Sequence, residues 1–398
     1  MTRWRSNPVW FGAGALAVFA CSWMGQGAPA LLRHFCLPLF LLGAIALFAP
    51  RLRGARPVLA RALAAAPALV MFILLVGAGG MASHGALFAA MSHDFWHADL
   101  LVAPDRRPLL PVLAYILPPW PAPYAVVWYA TFAALFLTAW DFLTARGLAP
   151  VERFALLTGS ILAYLLIIPG YTEVLTFLVA LLCWRAELTA AETCVAAAVM
   201  IGGHEVAGGF AIAFLAIESD RPQRRAWLGA LVFLGAAWAA GYLLAAGSAL
   251  STTLDAAARP AAGYPLTAPQ LVLAHPWRCL LGIAAAYKLT WLLLPAGLRR
   301  QGAARLHAVV VLLSLPLLLI ATDTSRIVQF SSLSMLALAA TVLAEMPPLG
   351  RRAFTALMML VPSICAGTNG IPAWGKGFYA VYLYVGQRFG ISLGGVAP

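Results

Sequence analysis

Charge is scarce in this 398-residue chain. Asp, Glu, Lys and Arg together make up 10% of it, against roughly 25% in an ordinary soluble domain. That excludes a soluble globule and a disordered chain, since disorder needs high charge and low apolar content. Lysine occurs twice, at Lys288 and Lys376, so arginine supplies the other 24 basic residues. Cysteine is sparse and unpatterned: Cys21, Cys36, Cys183, Cys194, Cys279 and Cys365 form no Cys-x-x-Cys pair. A disulfide scaffold is excluded, and the six read as small residues of apolar segments. No Gly-rich phosphate loop, His-Glu-x-x-His helix or Gly-x-Ser-x-Gly elbow occurs.

What is present is apolar. Hydrophobic residues make up 63% of the chain, and the mean hydropathy is +0.88. A soluble core cannot absorb that much apolar surface, so the expected solvent is a bilayer. At about 20 apolar residues per crossing, the length allows on the order of a dozen spans and no large soluble domain. The net charge of +12 comes from arginines scattered between apolar runs. That is the pattern of membrane orientation; a nucleic-acid interface would gather them in a patch with aromatics.

The expected fold is an all-α polytopic membrane protein. Thirteen apolar segments (11–13 spans) lie near 8–25, 33–50, 62–80, 124–143, 154–168, 173–184, 190–202, 206–218, 227–247, 277–297, 307–322, 327–344 and 353–366. The first also fits a signal peptide. Two N-terminal spans (1–61) precede a core (62–220), and further spans and an external tail follow (221–398). Seven alternate loops hold 17 of the 26 basic residues, from Arg3 and Arg5 to Arg351 and Arg352. The positive-inside rule makes that side cytoplasmic. The other face is external, and its longest early loop, 81–123, is broken by many prolines. Its apolar stretches at 99–103 and 109–117 are too short to span and suit interfacial helices.

An ionisable group at membrane depth costs roughly 2.5–3.5 kcal/mol on insertion scales, so it has a partner or a task. The external face gathers such groups from distant stretches. The first cluster holds His93, Asp94, His97, Asp99, Arg106 and Arg107. Its carboxylates can act as a general base or hold a divalent cation, Mg or Mn; no ligand set for a metal is otherwise evident. Arg106 and Arg107 suit a phosphate. The plain alternative is a solvated polar loop. Glu173 opens a helix after Pro169-Gly170-Tyr171-Thr172, where a first-turn carboxylate is favourable without any further role. His204 and Glu205 follow Gly202-Gly203 at a turn and can serve as ligands or a proton relay. Asp323 and Arg326 form either a local ion pair or a phosphate contact. Lys288, inside a span, is expected to snorkel.

His93-Asp94-Phe95-Trp96, the stretch Arg107-Pro108-Leu109-Leu110-Pro111-Val112-Leu113 and the motif Pro169-Gly170-Tyr171-Thr172-Glu173 resemble, in order and spacing, the GT-C superfamily of membrane glycosyltransferases. More narrowly they resemble the glycosylphosphatidylinositol mannosyltransferase-like branch and its bacterial relatives. The resemblance covers roughly residues 62–220. His93 stands where the branch carries Trp, Gly170 is inserted before Tyr171, and two spans precede the acidic loop instead of one. The resemblance implies a polyprenyl-phosphate sugar donor and transfer of a hexose, mannose in that branch, on the external face. Asp94 would be the general base of an inverting attack, with Asp99 as its substitute. Arg106, Arg107 or Arg326 would stabilise the leaving phosphate; His93, His97, Glu173, His204, Glu205 and Asp323 would line the pocket. The acceptor is a glycan, lipid or protein, and nucleic acid is not a partner. The Arg- and Ala-rich usage suits the cell envelope of a GC-rich bacterium, with the site facing the periplasm. Two rivals stand beside this reading: an O-antigen-type polysaccharide polymerase or ligase, and a multi-pass transporter or lipid flippase.

Overall fold

The computed structural model describes residues 56–79, 81, 83–93, 107, 109–119, 122–184, 186–245, 268–319, 323–366 and 373–374. Both N-terminal apolar segments (8–25 and 33–50), together with Asp94, His97, Asp99 and Arg106, lie outside the described residues. The described chain is helical apart from one pair of two-residue strands. Among the described residues, three helical runs are long and apolar enough to cross a membrane: Tyr124–Ala145, Pro276–Arg299 and Thr324–Ala344. A fourth is the pair Pro150–Thr158 and Ile161–Ile167, bent by 59°. The chain forms two compact units, interleaved in sequence.

The first unit takes residues 83–135 and 170–254 among others. It holds α2 (Ser83–His93), α3 (Leu109–Ile116), the first half of α4 (Tyr124–Ala145), α7 (Glu173–Cys183), α8 (Ala190–Gly203), α9 (Glu205–Glu218) and α10 (Arg221–Ala245). α8 packs on α7, α9 and α10, and α9 packs on α7 and α10. The approach is close because α8 ends in small residues. A Cβ on Gly203 would lie 2.6 Å from Thr176 Oγ1 of α7, and one on Gly202 would lie 2.9 Å from a Leu109 methyl of α3. α3 is the helix expected at 109–117, yet Leu109, Leu110, Pro111, Val112 and Ala114 are buried. It packs on α2 and α8, so its apolar surface is used inside the protein.

Caps explain where these helices begin and end. Thr189 Oγ1 accepts from the Glu192 N–H at 3.3 Å, and Glu192 Oε2 accepts from the Thr189 N–H at 2.7 Å. This reciprocal pair satisfies two donors at the start of α8. At the far end of α9, the Arg224 guanidinium donates to the Ala216 and Ser219 carbonyls at 2.9 and 3.1 Å. Those carbonyls lack helical partners, and a cation suits that negative helix end.

The second unit takes residues 61–82, 136–169 and 255–398. It takes α1 (Arg56–Val76) from Arg61 onward, and its other described elements include α5 (Pro150–Thr158), α6 (Ile161–Ile167), α11 (Ala268–Ala274), α12 (Pro276–Tyr287), α13 (Leu294–Arg299), α14 (Ala303–Leu312), α15 (Thr324–Val328), α16 (Ser332–Ala344) and α17 (Pro348–Leu360). A 3₁₀ segment, Lys288–Leu293, joins α12 to α13, and another, Gln329–Ser331, joins α15 to α16. β1 (Ile364–Cys365) pairs antiparallel with β2 (Ala373–Trp374), with Ile364 opposite Trp374.

The run expected at 154–168 breaks at Thr158-Gly159-Ser160. The Ser160 hydroxyl accepts from the Leu162 N–H at 3.3 Å, which caps α6 as a new helix. The Ser332 hydroxyl takes the Ile161 N–H at 3.1 Å. Lys288 lies at a second break, with φ 49° and ψ −131°, a conformation that strains a side-chain-bearing residue by about 1–3 kcal/mol. Contrary to the snorkelling expectation, Lys288 is buried, and its Nζ donates to Thr158 Oγ1 at 3.0 Å.

Candidate functional site

Four of the residues singled out in the sequence meet inside the first unit. They come from the entry to α3, the start of α7 and the α8–α9 turn. Arg107 donates through Nε and Nη2 to the two carboxylate oxygens of Glu205, at 2.9 and 2.7 Å. His204 Nδ1 lies 3.8 Å from Glu205 Oε2, and His204 Nε2 lies 3.1 Å from Glu173 Oε1. The order Arg107–Glu205–His204–Glu173 therefore runs from partial exposure to full burial. The Arg107 and Glu205 side chains are each 13% exposed, His204 2% and Glu173 0%.

The backbone turn at His204 sets this order. His204 ends α8 with its N–H on the Met200 carbonyl, and its extended backbone (φ −165°, ψ 115°) starts α9. Its Nδ1 accepts from the Ala207 N–H at 3.4 Å, so the imidazole is the N-cap of α9. With Nδ1 accepting, the hydrogen-bond pattern assigns the proton to Nε2, which donates to Glu173. Thr176, one turn into α7, donates to the Met200 carbonyl at 3.1 Å. It ties α7 to the end of α8 and so holds Glu173 beside His204.

Two aromatic residues of α4 hold the strand of backbone before Glu173. The Tyr124 hydroxyl donates to the Gly170 carbonyl and Trp128 Nε1 to the Tyr171 carbonyl, each at 2.8 Å. Gly170 has φ 114°, so the glycine of this motif supplies a conformation that side chains disfavour. Tyr124, Trp128 and Thr176 were not singled out in the sequence. The available signal was weak: two aromatics four residues apart at a helix start, and a hydroxyl one turn after Glu173.

The charges are balanced locally. Burial pushes the Glu205 carboxyl up, but the Arg107 charge and its hydrogen bonds, joined in acid by the His204 imidazolium, outweigh burial and hold it at about 2. Burial pushes the His204 imidazole down, and the Arg107 charge adds to this; Glu173 and Glu205 pull the other way without cancelling it. The site at neutral pH thus pairs an ionised Glu205 with Arg107 and keeps His204 uncharged. A carboxylate–imidazole pair can orient a hydroxyl and move a proton, and the Arg fork matches a carboxylate or phosphate.

The other predicted residues are placed as follows. His93 closes α2 and is exposed. Asp323 and Arg326 lie in the second unit. There Asp323 Oδ2 accepts from the Tyr164 hydroxyl at 2.8 Å and lies 3.5 Å from Arg326 Nη1. The Arg326 guanidinium lies 5.7 Å from the centre of the Phe330 ring. Asp323 and Arg326 thus lie side by side, and the Tyr164 hydroxyl joins them at Asp323. Among the described residues, no group of three or more His, Cys, Asp or Glu side chains is arranged to hold a metal ion. No protein-family model, curated protein or solved structure matches the chain.

Proposed function

We propose that this protein is a multi-pass membrane glycosyltransferase with about thirteen spans and a site on the external, periplasmic face of a bacterial inner membrane. The donor is a polyprenyl-phosphate-linked hexose, mannose if the branch resemblance extends to the sugar. The acceptor is a glycan, lipid or protein. Asp94 removes the proton of the acceptor hydroxyl as that oxygen attacks the anomeric carbon, with inversion, and polyprenyl phosphate leaves. A base within hydrogen-bond reach contributes typically 10²–10⁴-fold. Arg107 takes the charge that gathers on the leaving phosphate. Glu173 and His204 orient the sugar.

The observation that carries the proposal is the buried line Arg107–Glu205–His204–Glu173. It unites an arginine fork suited to phosphate with a carboxylate–imidazole pair; Arg107 and Glu173 belong to quoted motifs, and His204 and Glu205 come from the α8–α9 turn. The test is turnover. Purified protein in liposomes is given radiolabelled undecaprenyl- or dolichyl-phosphate hexoses and an envelope lipid extract as acceptor. Transfer of label, with release of polyprenyl phosphate, supports the reading. Binding without release of polyprenyl phosphate refutes it.

One observation favours the rival transporter reading. Lys288 is buried at a helix break in the second unit, bonded to Thr158 beside a second break. Interrupted helices with ionisable groups at depth mark ion and substrate paths. The same liposomes decide this, because a transporter moves label across the bilayer without chemical change.

A further inference from the structure

We propose that Arg107 is a seat for a phosphate group and Glu205 its displaceable stand-in, so that filling the seat drives His204 to take up one proton. This rests on the site reading above and assigns a task to its partly exposed end. Arg107 holds Glu205 by two parallel N–H···O bonds, from Nε and Nη2 to the two carboxylate oxygens. Two oxygens of a phosphate present the same spacing to a guanidinium fork. The pair lies at the accessible end of the line, whereas His204 and Glu173 are sealed behind it.

A phosphate that takes Arg107 leaves Glu205 without its counter-charge. A buried, uncompensated carboxylate is costly. His204 Nδ1, 3.8 Å from Glu205 Oε2, can restore the balance. That nitrogen accepts the Ala207 N–H at 3.4 Å, a long hydrogen bond. A proton from solvent on Nδ1 gives Nδ1–H···Oε2 and displaces the long bond that Nδ1 accepts from the Ala207 N–H. Nε2–H remains on Glu173, so an imidazolium then lies between two carboxylates.

Among the described residues, charged and titratable groups reach His204 from several elements. α7 presents Glu173, α9 presents Glu205, and Arg107 precedes α3. Tyr124 of α4 faces Glu173. α8 carries Glu192 in its opposite, first turn, and α10 carries Arg221, Arg224 and Arg225 near the far end of α9.

The experiment is calorimetry on the full chain in detergent near neutral pH, in two buffers of different ionisation enthalpy. The probes are a short-chain prenyl monophosphate and inorganic phosphate. The expected result is uptake of about one proton per phosphate bound, with affinity falling up to about tenfold per pH unit above neutrality. Glu205→Gln, which removes the competing charge, is expected to tighten binding at least ~10-fold and abolish the uptake. His204→Gln is expected to lose the uptake and to bind phosphate more weakly, because Glu205 then stays uncompensated. Should that variant fail to fold, Glu205→Gln alone decides. Binding of the prenyl phosphate only assigns the seat to a lipid headgroup, and equal binding of both probes assigns it to phosphate from either source. Wild-type binding with no proton uptake, unchanged affinity in Glu205→Gln, or binding of neither probe overturns the proposal. Absent hexose transfer beside the expected calorimetry refutes the transferase reading and leaves the seat standing.

Discussion

Replacing Glu205 by Gln, alone and together with Arg107→Gln, measures how strongly the line of charges holds the first unit together. The Glu205 carboxyl lies at about 2 in the fold against an ordinary 4.5. At 1.36 kcal/mol per unit, that displacement corresponds to about 3 kcal/mol of stability. The sign follows from the direction. A depressed carboxylate contributes fully above its ordinary value, and the contribution is lost as pH falls from about 4.5 toward 2. The structural pair agrees in size, since removing one partner of a buried pair costs roughly 3–5 kcal/mol. A double-mutant cycle by SDS titration in mixed micelles, followed by tryptophan fluorescence, reads the coupling directly. We expect about 2–4 kcal/mol at neutral pH and a sharp decline in acid. A coupling below about 0.5 kcal/mol at neutral pH, the level of ordinary non-additivity, refutes the argument.

Other outcomes test the proposed base and the packing within each unit. Asp94→Asn is expected to abolish hexose transfer while the protein stays folded and inserted; retention of most of the wild-type rate removes Asp94 from the mechanism. Gly203→Ala places a Cβ 2.6 Å from Thr176 Oγ1 and is expected to cost about 1–3 kcal/mol by overpacking, visible as a lower unfolding midpoint. Adding Thr176→Ala should then recover part of the loss, and no recovery would place the strain elsewhere. Thr158→Val removes the hydroxyl bonded to Lys288 Nζ and is expected to cost about 1–3 kcal/mol. Combining it with Lys288→Met should restore most of that stability, and a purely additive pair counts against the bond.

The parts of the site that sequence reasoning could reach were those where a charge interrupts an apolar run beside a turn. Glu173 follows Pro169-Gly170, and His204-Glu205 follows Gly202-Gly203, so each announced itself as an ionisable group at a segment end. Their pairing was not legible. It depends on how closely α7 meets α8, and that is set by the missing side chain of Gly203 against Thr176. Arg107 was selected for its fork, but nothing in the local pattern tied it to Glu205, 98 residues away. Asp323 illustrates the same limit, because its Tyr164 partner lies 159 residues distant.

Helix breaks divided in the same way. Thr158-Gly159-Ser160 carries turn-forming residues, so the 59° bend had a signal within a run read as one segment. Tyr287-Lys288 carries neither Gly nor Pro, and Pro295 comes seven residues later. The break at Lys288 is imposed by its surroundings: the Tyr287 hydroxyl donates to the Val328 carbonyl at 2.8 Å, and Lys288 Nζ reaches Thr158. Composition and apolar length captured the helical class and the long apolar runs, because bilayer length and backbone satisfaction leave few alternatives.

The measurement closest to the central claim is the initial rate of hexose transfer from a labelled polyprenyl-phosphate donor by wild-type protein, Glu173→Gln and His204→Gln in the same liposomes. The account predicts rapid transfer by the wild type and losses of ~100-fold in both variants, the size typical of a substrate misplaced by about 1 Å. Wild-type protein that binds the donor without transferring the sugar, or variants that transfer at the wild-type rate, would contradict it.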